Sequence, residues 1–233
     1  MIRDAAVKIL VKLGLYKPAV NLINKADFEI QARRMKKQGL VMLADADRAF
    51  TEAGLQSFLI FGSLLGAYRE HGFISYDPDI DLAIVDDGSL PDYRSSLARS
   101  GFKLIRQLYF KDDGTVIEET YQYGKLHLDV FRMFPQGNLL YCYCARRHET
   151  KEWKEANATD GFPCVSYHVP NCEFHRSDFL GLNIYMPDLT ERWLRDIYSD
   201  SFMTPIKDYD PDVLVTTMEK TGRRCYRRLE FDH

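Results

Sequence analysis

The sequence predicts an α+β fold, a mixed sheet flanked by helices with helical N- and C-terminal segments. Two observations carry this. Between Ala26 and Ala53 apolar residues recur at three- and four-residue steps, as helices require, while short apolar or alternating runs bounded by Gly, Asp and Pro fill the stretch from Gln56 to Ala145. At 233 residues, with 45% hydrophobic and 13% aromatic content, one domain over 1–233 is expected: a helical part over 1–54, a sheet core over 55–145 and a further part over 146–233.

In chain order, Met1–Leu13 is amphipathic and basic, without the unbroken apolar run or small-residue cleavage site of a signal peptide. It is expected to be a helix packed on its own domain, with rest on a membrane surface as the alternative. A long amphipathic helix over Ala26–Ala53, set by Phe28, Ala32, Met35, Met42, Leu43, Ala46, Ala49 and Phe50, ends at Gly54. Gln56–Phe61 reads as a short buried strand that delivers Gly62 and Ser63 to the start of a helix over Leu64–Glu70. Asp79–Val85 is the next strand, and Ser89 is the expected cap of a helix through Ala98 that Gly101 stops. Phe102–Phe110 and Val116–Tyr123 flank the Asp112-Asp113-Gly114 turn as a hairpin. In Lys125–Phe134 the side chains alternate, with Leu126, Leu128 and Val130 on one face and His127, Asp129 and Phe131 on the other. Asn138–Ala145 is a further strand, and the polar run Arg146–Asp160 a solvated connection or short helix. Asp188 and Glu191 form a capping box for a helix through Trp193, Leu194 and Ile197, and Asp212–Arg228 is expected to close the chain as a helix.

The formal charge of −3 excludes a global pull toward polyanions, so no nucleic-acid partner is expected. No apolar run approaches the roughly 20 residues that span a bilayer. Five cysteines, Cys142, Cys144, Cys164, Cys172 and Cys225, form no regular framework. Their odd number favours reduced thiols and the cytoplasm, with peripheral contact to the inner face of a membrane as the alternative. With His168 and His175 their spacing is poor for zinc, and buried thiols are the favoured reading.

The chemistry concentrates in Phe61-Gly62-Ser63-Leu64-Leu65-Gly66-Ala67-Tyr68-Arg69 and Asp77-Pro78-Asp79-Ile80-Asp81. Residues i and i+2 of a strand project to one side, so Asp79 and Asp81 emerge together. Side by side they repel unless a divalent cation bridges them. Asp129 is the third acidic strand position, which completes a set suited to hold Mg2+ or Mn2+ against phosphates. Gly62 allows close backbone approach, and Ser63 offers a hydroxyl and the amides of a helix start. Arg69, Lys125 and His127 are candidate contacts to phosphate or acceptor, with solvated surface charge as the alternative for each; Asp77 either joins the acidic cluster or opens a turn before Pro78. The pattern reads as a metal-dependent phosphoryl or nucleotidyl transfer site.

These segments, with Gly72-Phe73-Ile74 between them, resemble the LicD family, which includes bacterial phosphocholine transferases and fukutin-related proteins. Leu128-Asp129-Val130-Phe131 looks like its third acidic strand, and Phe179–Pro187 with Tyr198 like its downstream block, so the likeness runs from about Gln31 to Pro205. Tyr76 stands where many relatives have tryptophan, and Pro78 where an acidic residue is frequent. The resemblance implies a nucleotidyltransferase-type fold, with 55–145 as the catalytic sheet core and 146–233 as a family-specific part. It implies transfer of an alditol phosphate, glycerol phosphate or phosphocholine from a CDP-linked donor to a glycan or glycolipid hydroxyl, with release of CMP. Asp79 and Asp81 would be metal ligands and Asp129 a third ligand or the base for the acceptor proton. Two alternatives stand beside this: transfer of NMP from a nucleoside triphosphate to a small molecule, and a non-catalytic nucleotide-binding module.

Overall fold

The computed structural model describes residues 16–206 and 218–229, with side chains from Glu29 onward. The reading of Met1–Leu13 lies outside these residues. Helix α1 spans Tyr16–Glu52 and buries Met35, Met42, Leu43, Ala46, Ala49 and Phe50, the three- and four-residue stripe that made it legible. Gly54, at φ +73°, ends it with a left-handed turn.

Strand β1 (Ser57–Leu59) is wholly buried and leads into α2 (Phe61–Arg69), after which β2 (Asp79–Val85) returns antiparallel to β1. Helix α3 (Tyr93–Arg99) is capped by Asp92, which accepts the Ser95 N–H at 3.2 Å. This corrects the expectation for Ser89, whose N–H and hydroxyl both donate to Asp87 within the preceding turn. Strands β3 (Phe102–Phe110) and β4 (Val116–Tyr123) form the expected hairpin, followed by β5 (Leu126–Gln136) and β6 (Leu139–Ala145). Within the polar connection lies one short helix, α4 (Trp153–Ala158).

Beyond it come β7 (Phe162–Pro170), β8 (Phe174–Phe179) and β9 (Leu182–Pro187), then α5 (Thr190–Tyr198). Helix α5 buries Trp193, Leu194 and Ile197 as expected, but Asp188 does not cap it: its carboxylate pairs with His175 Nδ1 at 2.6 Å, while Glu191 reaches Tyr68 and Arg195. The helical C-terminal segment is also corrected. Of Asp212–Arg228, residues 212–217 lie outside the described residues, and Glu219–Arg228 is strand β10.

All ten strands among the described residues belong to one sheet in the order β4-β3-β10-β7-β6-β5-β2-β1-β9-β8, and β4 pairs with β5 as well. The chain of pairings β5-β6-β7-β10-β3-β4 therefore closes on itself, while β2, β1, β9 and β8 extend from β5 as an open wing. The main core lies where α1, α2, α3 and α5 cover this wing and its junction with the closed strands. A second cluster, with Leu108, Phe110, Ile117, Phe162, Cys164 and Cys225, belongs to the closed part.

One pairing positions the site. Strands β2 and β5 run parallel with Asp79 beside His127 and Asp81 beside Asp129. Ile80 and Leu82 turn into the core at zero exposure, so their alternate neighbours, Asp79 and Asp81, point the other way.

Candidate active site

Asp79 and Asp81 stand at the start of β2, where the chain enters from the Tyr76-Asp77-Pro78 turn. One carboxylate oxygen from each of Asp77, Asp79 and Asp81 lies within 4.8 Å of the others. Among the described residues no other group of three or more His, Cys, Asp or Glu side chains converges in this way. Asp77 is thus brought into the cluster, although a residue before proline reads equally well as a plain turn opener.

Helix α2 is fitted against these acids by its first turn. The Gly62 N–H donates to Asp81 Oδ2 at 3.1 Å, and the Ser63 hydroxyl accepts the Asp81 N–H at 2.9 Å. A methyl group on Gly62 would overlap the Asp77 carboxylate, so glycine is required by proximity rather than by backbone angle. Ser63 is buried, and its hydroxyl pins β2 to α2. Phe61, just ahead, has φ +44°, a left-handed conformation costly for a bulky residue. Its ring meets Phe131 edge-on at 4.8 Å and Tyr167 at 5.7 Å.

Charge is concentrated here without a balancing cation in the triplet. Burial pushes the Asp79 carboxyl well above the usual carboxylate range, and the negative charges of Asp129 and Asp77 push it further. Burial likewise raises Asp81, helped by Asp79, Asp77 and Asp129, with the Gly62 N–H pulling the other way. Asp77 is raised by burial, with a hydrogen bond to Asp79 opposing. Three oxygen ligands at such spacing, electrostatically frustrated when alone, fit a hard divalent cation.

Asp129 is beside this triplet but differently engaged. One of its oxygens accepts from the Thr120 hydroxyl, and Arg106 Nη2 approaches the same oxygen at 3.4 Å. Arg106 Nη2 also donates to Glu118 at 2.5 Å, so the guanidinium ties the two carboxylates. Burial and the Asp129 charge push Glu118 up to about 7, against the pull of Arg106. Arg106, Thr120 and Glu118 escaped the sequence reading; the only trace is that Glu118 and Thr120 share the β4 face that meets Asp129, polar residues at a two-residue step in a strand.

A cavity of about 410 Å3 opens on the triplet. Asp77, Asp79, Asp81 and Gly62 line one side, and Tyr76, Tyr198 and Phe202 are among the aromatic residues on its walls. Arg69 also lines it, donating from Nη1 to the Phe202 carbonyl at 3.1 Å and from Nη2 to Glu70 at 2.8 Å, while its buried Nε has no hydrogen-bond partner among the described residues. Lys125 and His127 are not among its lining residues: Lys125 is exposed in the β4–β5 turn, and His127 sits opposite Asp79 in the ladder. A larger hollow of about 850 Å3 lies at the far end of β2, around Asp86, Arg94 and Arg132, and shares no residue with the aspartate cavity.

The cysteines are free thiols, of which Cys142, Cys164 and Cys225 are buried; Cys164 neighbours Cys225 and Cys144 neighbours Cys142 within the sheet, while Cys172 lies in the loop before β8. Among the described residues no helix is long and apolar enough to cross a membrane.

The sequence has relatives. The chain is 24% identical over 186 residues to the ribitol-5-phosphate transferase FKTN of Mus musculus, an alignment covering 79% of this chain and 37% of that protein. The Homo sapiens FKTN is 23% identical over 190 residues with the same coverage. An uncharacterized protein of Caenorhabditis elegans is 33% identical over 101 residues, 42% of this chain and 27% of that one. The chain thus spans little more than a third of the FKTN relatives' length. A family model described as the nucleotidyltransferase domain of LicD, FKTN and FKRP matches residues 54–187, from the end of α1 to the end of β9, which includes the aspartate triplet, its helix α2 and Asp129. A match over more than half of the sequence, which takes in the aspartate triplet, makes this chain a member of the LicD/FKTN/FKRP family.

Proposed function

We propose that this chain is a metal-dependent transferase that moves a phospho-linked small group from a CDP-activated donor to a glycan or glycolipid hydroxyl and releases CMP. The observation that carries the proposal is the convergence of Asp77, Asp79 and Asp81 on one side of a cavity with aromatic walls. Of the groups considered, alditol phosphate takes precedence over glycerol phosphate and phosphocholine, because the mouse and human relatives are named as ribitol-5-phosphate transferases.

Asp77, Asp79 and Asp81 would hold Mg2+ or Mn2+. When bound, the ion neutralises phosphate charge and helps align the displacement. The acceptor oxygen forms a bond to the donor phosphorus, the bond from that phosphorus to the CMP oxygen breaks, and CMP leaves with the electron pair. The acceptor proton passes to a carboxylate. Thr120 and Arg106 fix one oxygen of Asp129, so its other oxygen serves as a fourth carboxylate ligand or as proton acceptor. Gly62 brings the α2 backbone against the acids, and Ser63 holds β2 in place. Arg69 supplies a cation in the cavity wall for a phosphate oxygen. Lys125 and His127 are left as contacts to a larger acceptor outside the cavity. The aromatic walls suit the flat face of a nucleobase.

The deciding experiment incubates the purified chain with Mg2+ and CDP-ribitol, CDP-glycerol, CDP-choline or CTP, with a glycan acceptor present. Metal-dependent CMP from a CDP-alditol is the expected product. Pyrophosphate from CTP would instead establish the nucleotidyl-transfer alternative, and nucleotide binding without turnover of any donor would favour the non-catalytic one.

A further inference from the structure

A second, smaller hollow of about 270 Å3 lies against the aspartate cavity, and Phe61 and Tyr198 line both. Glu118, Arg146 and Tyr167 supply its polar lining, and Phe131 adds another aromatic wall. Its polar groups are organised. Arg146 Nη2 donates to the Tyr167 hydroxyl and meets Met218 Sδ at 3.1 Å, with the guanidinium carbon 5.5 Å from the Tyr167 ring centre. Glu118 receives Arg106 on one oxygen, and Arg106 in turn touches Asp129, the residue in register with Asp81. The left-handed backbone at Phe61 and the packing of its ring on Phe131 and Tyr167 build the partition between the hollows. Strained backbone of this kind persists where its surroundings hold it, and such sites cluster around function.

The two compartments differ chemically. The aspartate cavity gathers carboxylates suited to a cation and phosphates, whereas the second hollow combines a carboxylate, a guanidinium and a phenol with aromatic faces. Carboxylate and guanidinium groups accept from and donate to vicinal hydroxyls, and aromatic faces cover the C–H side of a sugar. Its volume is below that of drug-sized pockets, about 300–1,000 Å3, and suits one sugar ring or one short polyol.

We infer that the hollow lined by Glu118, Arg146 and Tyr167 is the acceptor subsite, taking a single terminal sugar or polyol unit whose hydroxyl reaches past Phe61 and Tyr198 toward the donor. Glu118 and Tyr167 act as positioning residues that orient the acceptor. The assignment of this ligand as acceptor rests on the donor reading given under the proposed function.

The test uses the full chain with Mg2+ and CDP, and methyl β-glucoside, methyl β-galactoside and ribitol as probes, read by saturation-transfer NMR. At least one probe is expected to give a signal that saturating CDP leaves in place, and Glu118→Gln and Tyr167→Phe are each expected to reduce it at least fivefold. CDP-induced, Mg2+-dependent thermal stabilisation should be unchanged in Tyr167→Phe, whose hydroxyl bonds Arg146 and not the Arg106–Asp129 pair. Should Glu118→Gln fail to fold, Tyr167→Phe, which keeps the ring, carries the comparison. The subsite is overturned if no probe gives a signal, if CDP displaces it, or if it is unaffected in the folded variants. A parent that binds a probe but shows no Mg2+-dependent response to CDP would remove the donor reading and, with it, the acceptor role.

Discussion

Gly62 shows how closely the site is assembled at single-residue scale. Its N–H reaches Asp81, and its missing side chain leaves room for Asp77. Gly62→Ala should therefore cost about 1–3 kcal/mol of stability, as overpacked sites do, and weaken Mn2+ binding measured by calorimetry. A variant with parental stability and metal affinity would show that α2 is free to shift. Asp79→Asn and Asp81→Asn should each lower transfer at least 100-fold, the scale seen when one electrostatic stabiliser is removed. They should also abolish the Mg2+-dependent thermal response to CDP. Asp129→Asn separates two roles: unchanged Mn2+ affinity with lost transfer identifies the proton acceptor, whereas weakened Mn2+ binding identifies a fourth ligand beside the triplet.

Among the elements, β4 is divided between two tasks by its alternation. Glu118 and Thr120 face Asp129 and its guanidinium, while Glu119, fully buried, is enclosed on the other face by Tyr93 at 2.6 Å, Gln107 at 2.6 Å, Tyr121 at 2.8 Å and Arg94 at 2.7 Å. Burial alone would raise the Glu119 carboxyl, but Arg94, Tyr93, Arg132 and Gln107 outweigh it and hold it below the ordinary glutamate range. Because the folded value is depressed, Glu119 stabilises the fold at pH values above the ordinary glutamate range. That contribution is lost as pH falls through the folded value. Glu119→Gln should cost roughly 3 kcal/mol at pH 7, the scale of a broken buried ion pair, and flatten the acid limb of stability measured by urea unfolding between pH 3 and 6. An acid limb unchanged by the substitution would show that other carboxylates govern it. The elements differ in how legible they were. Helix α1 and strands β5 and β6 carry the periodicity of one buried face, and the β3–β4 hairpin is marked by its Asp112-Asp113-Gly114 turn, both of which local sequence records. Strand β10 does not: of Glu219–Arg228 only Cys225 is buried, and Arg223, Arg227 and Arg228 lie over Phe110, Phe162 and Tyr109. A run of arginines packed by their stems and planes on aromatic rings reads as an exposed helix face until β3 and β7 are in place to pair with it.

At the scale of the whole molecule, the closed strands and the open wing meet at β5, which pairs with β2 on one edge and with β4 and then β6 on the other. The site is built at that junction, with Asp79 and Asp81 from the wing and Asp129, Thr120 and Glu118 from the closed part. A cation bound there joins carboxylates that repel in its absence, so metal with CDP should stabilise the fold as a unit. At a hundredfold excess over the dissociation constant the gain is about 2.7 kcal/mol, which for a domain of this size corresponds to a rise of roughly 5–10 °C in Tm by calorimetry. A single transition that shifts as a whole is the expected trace, and stabilisation of only one part would separate wing from closed strands.

By itself the sequence determined the α+β class, the amphipathic first helix and the glycine-serine turn, and it marked Asp79 and Asp81 as companions. These follow from periods of two and of three to four residues and from turn chemistry, which act between near neighbours along the chain. Only the tertiary structure decided that Asp77 joins the triplet, that Thr120 and Arg106 hold Asp129, and that Lys125 and His127 stay outside the cavity. The same holds for β10 and for the hollow around Glu118. Each depends on strand pairings and loop closures between residues distant in sequence, and no local pattern encodes which strands meet.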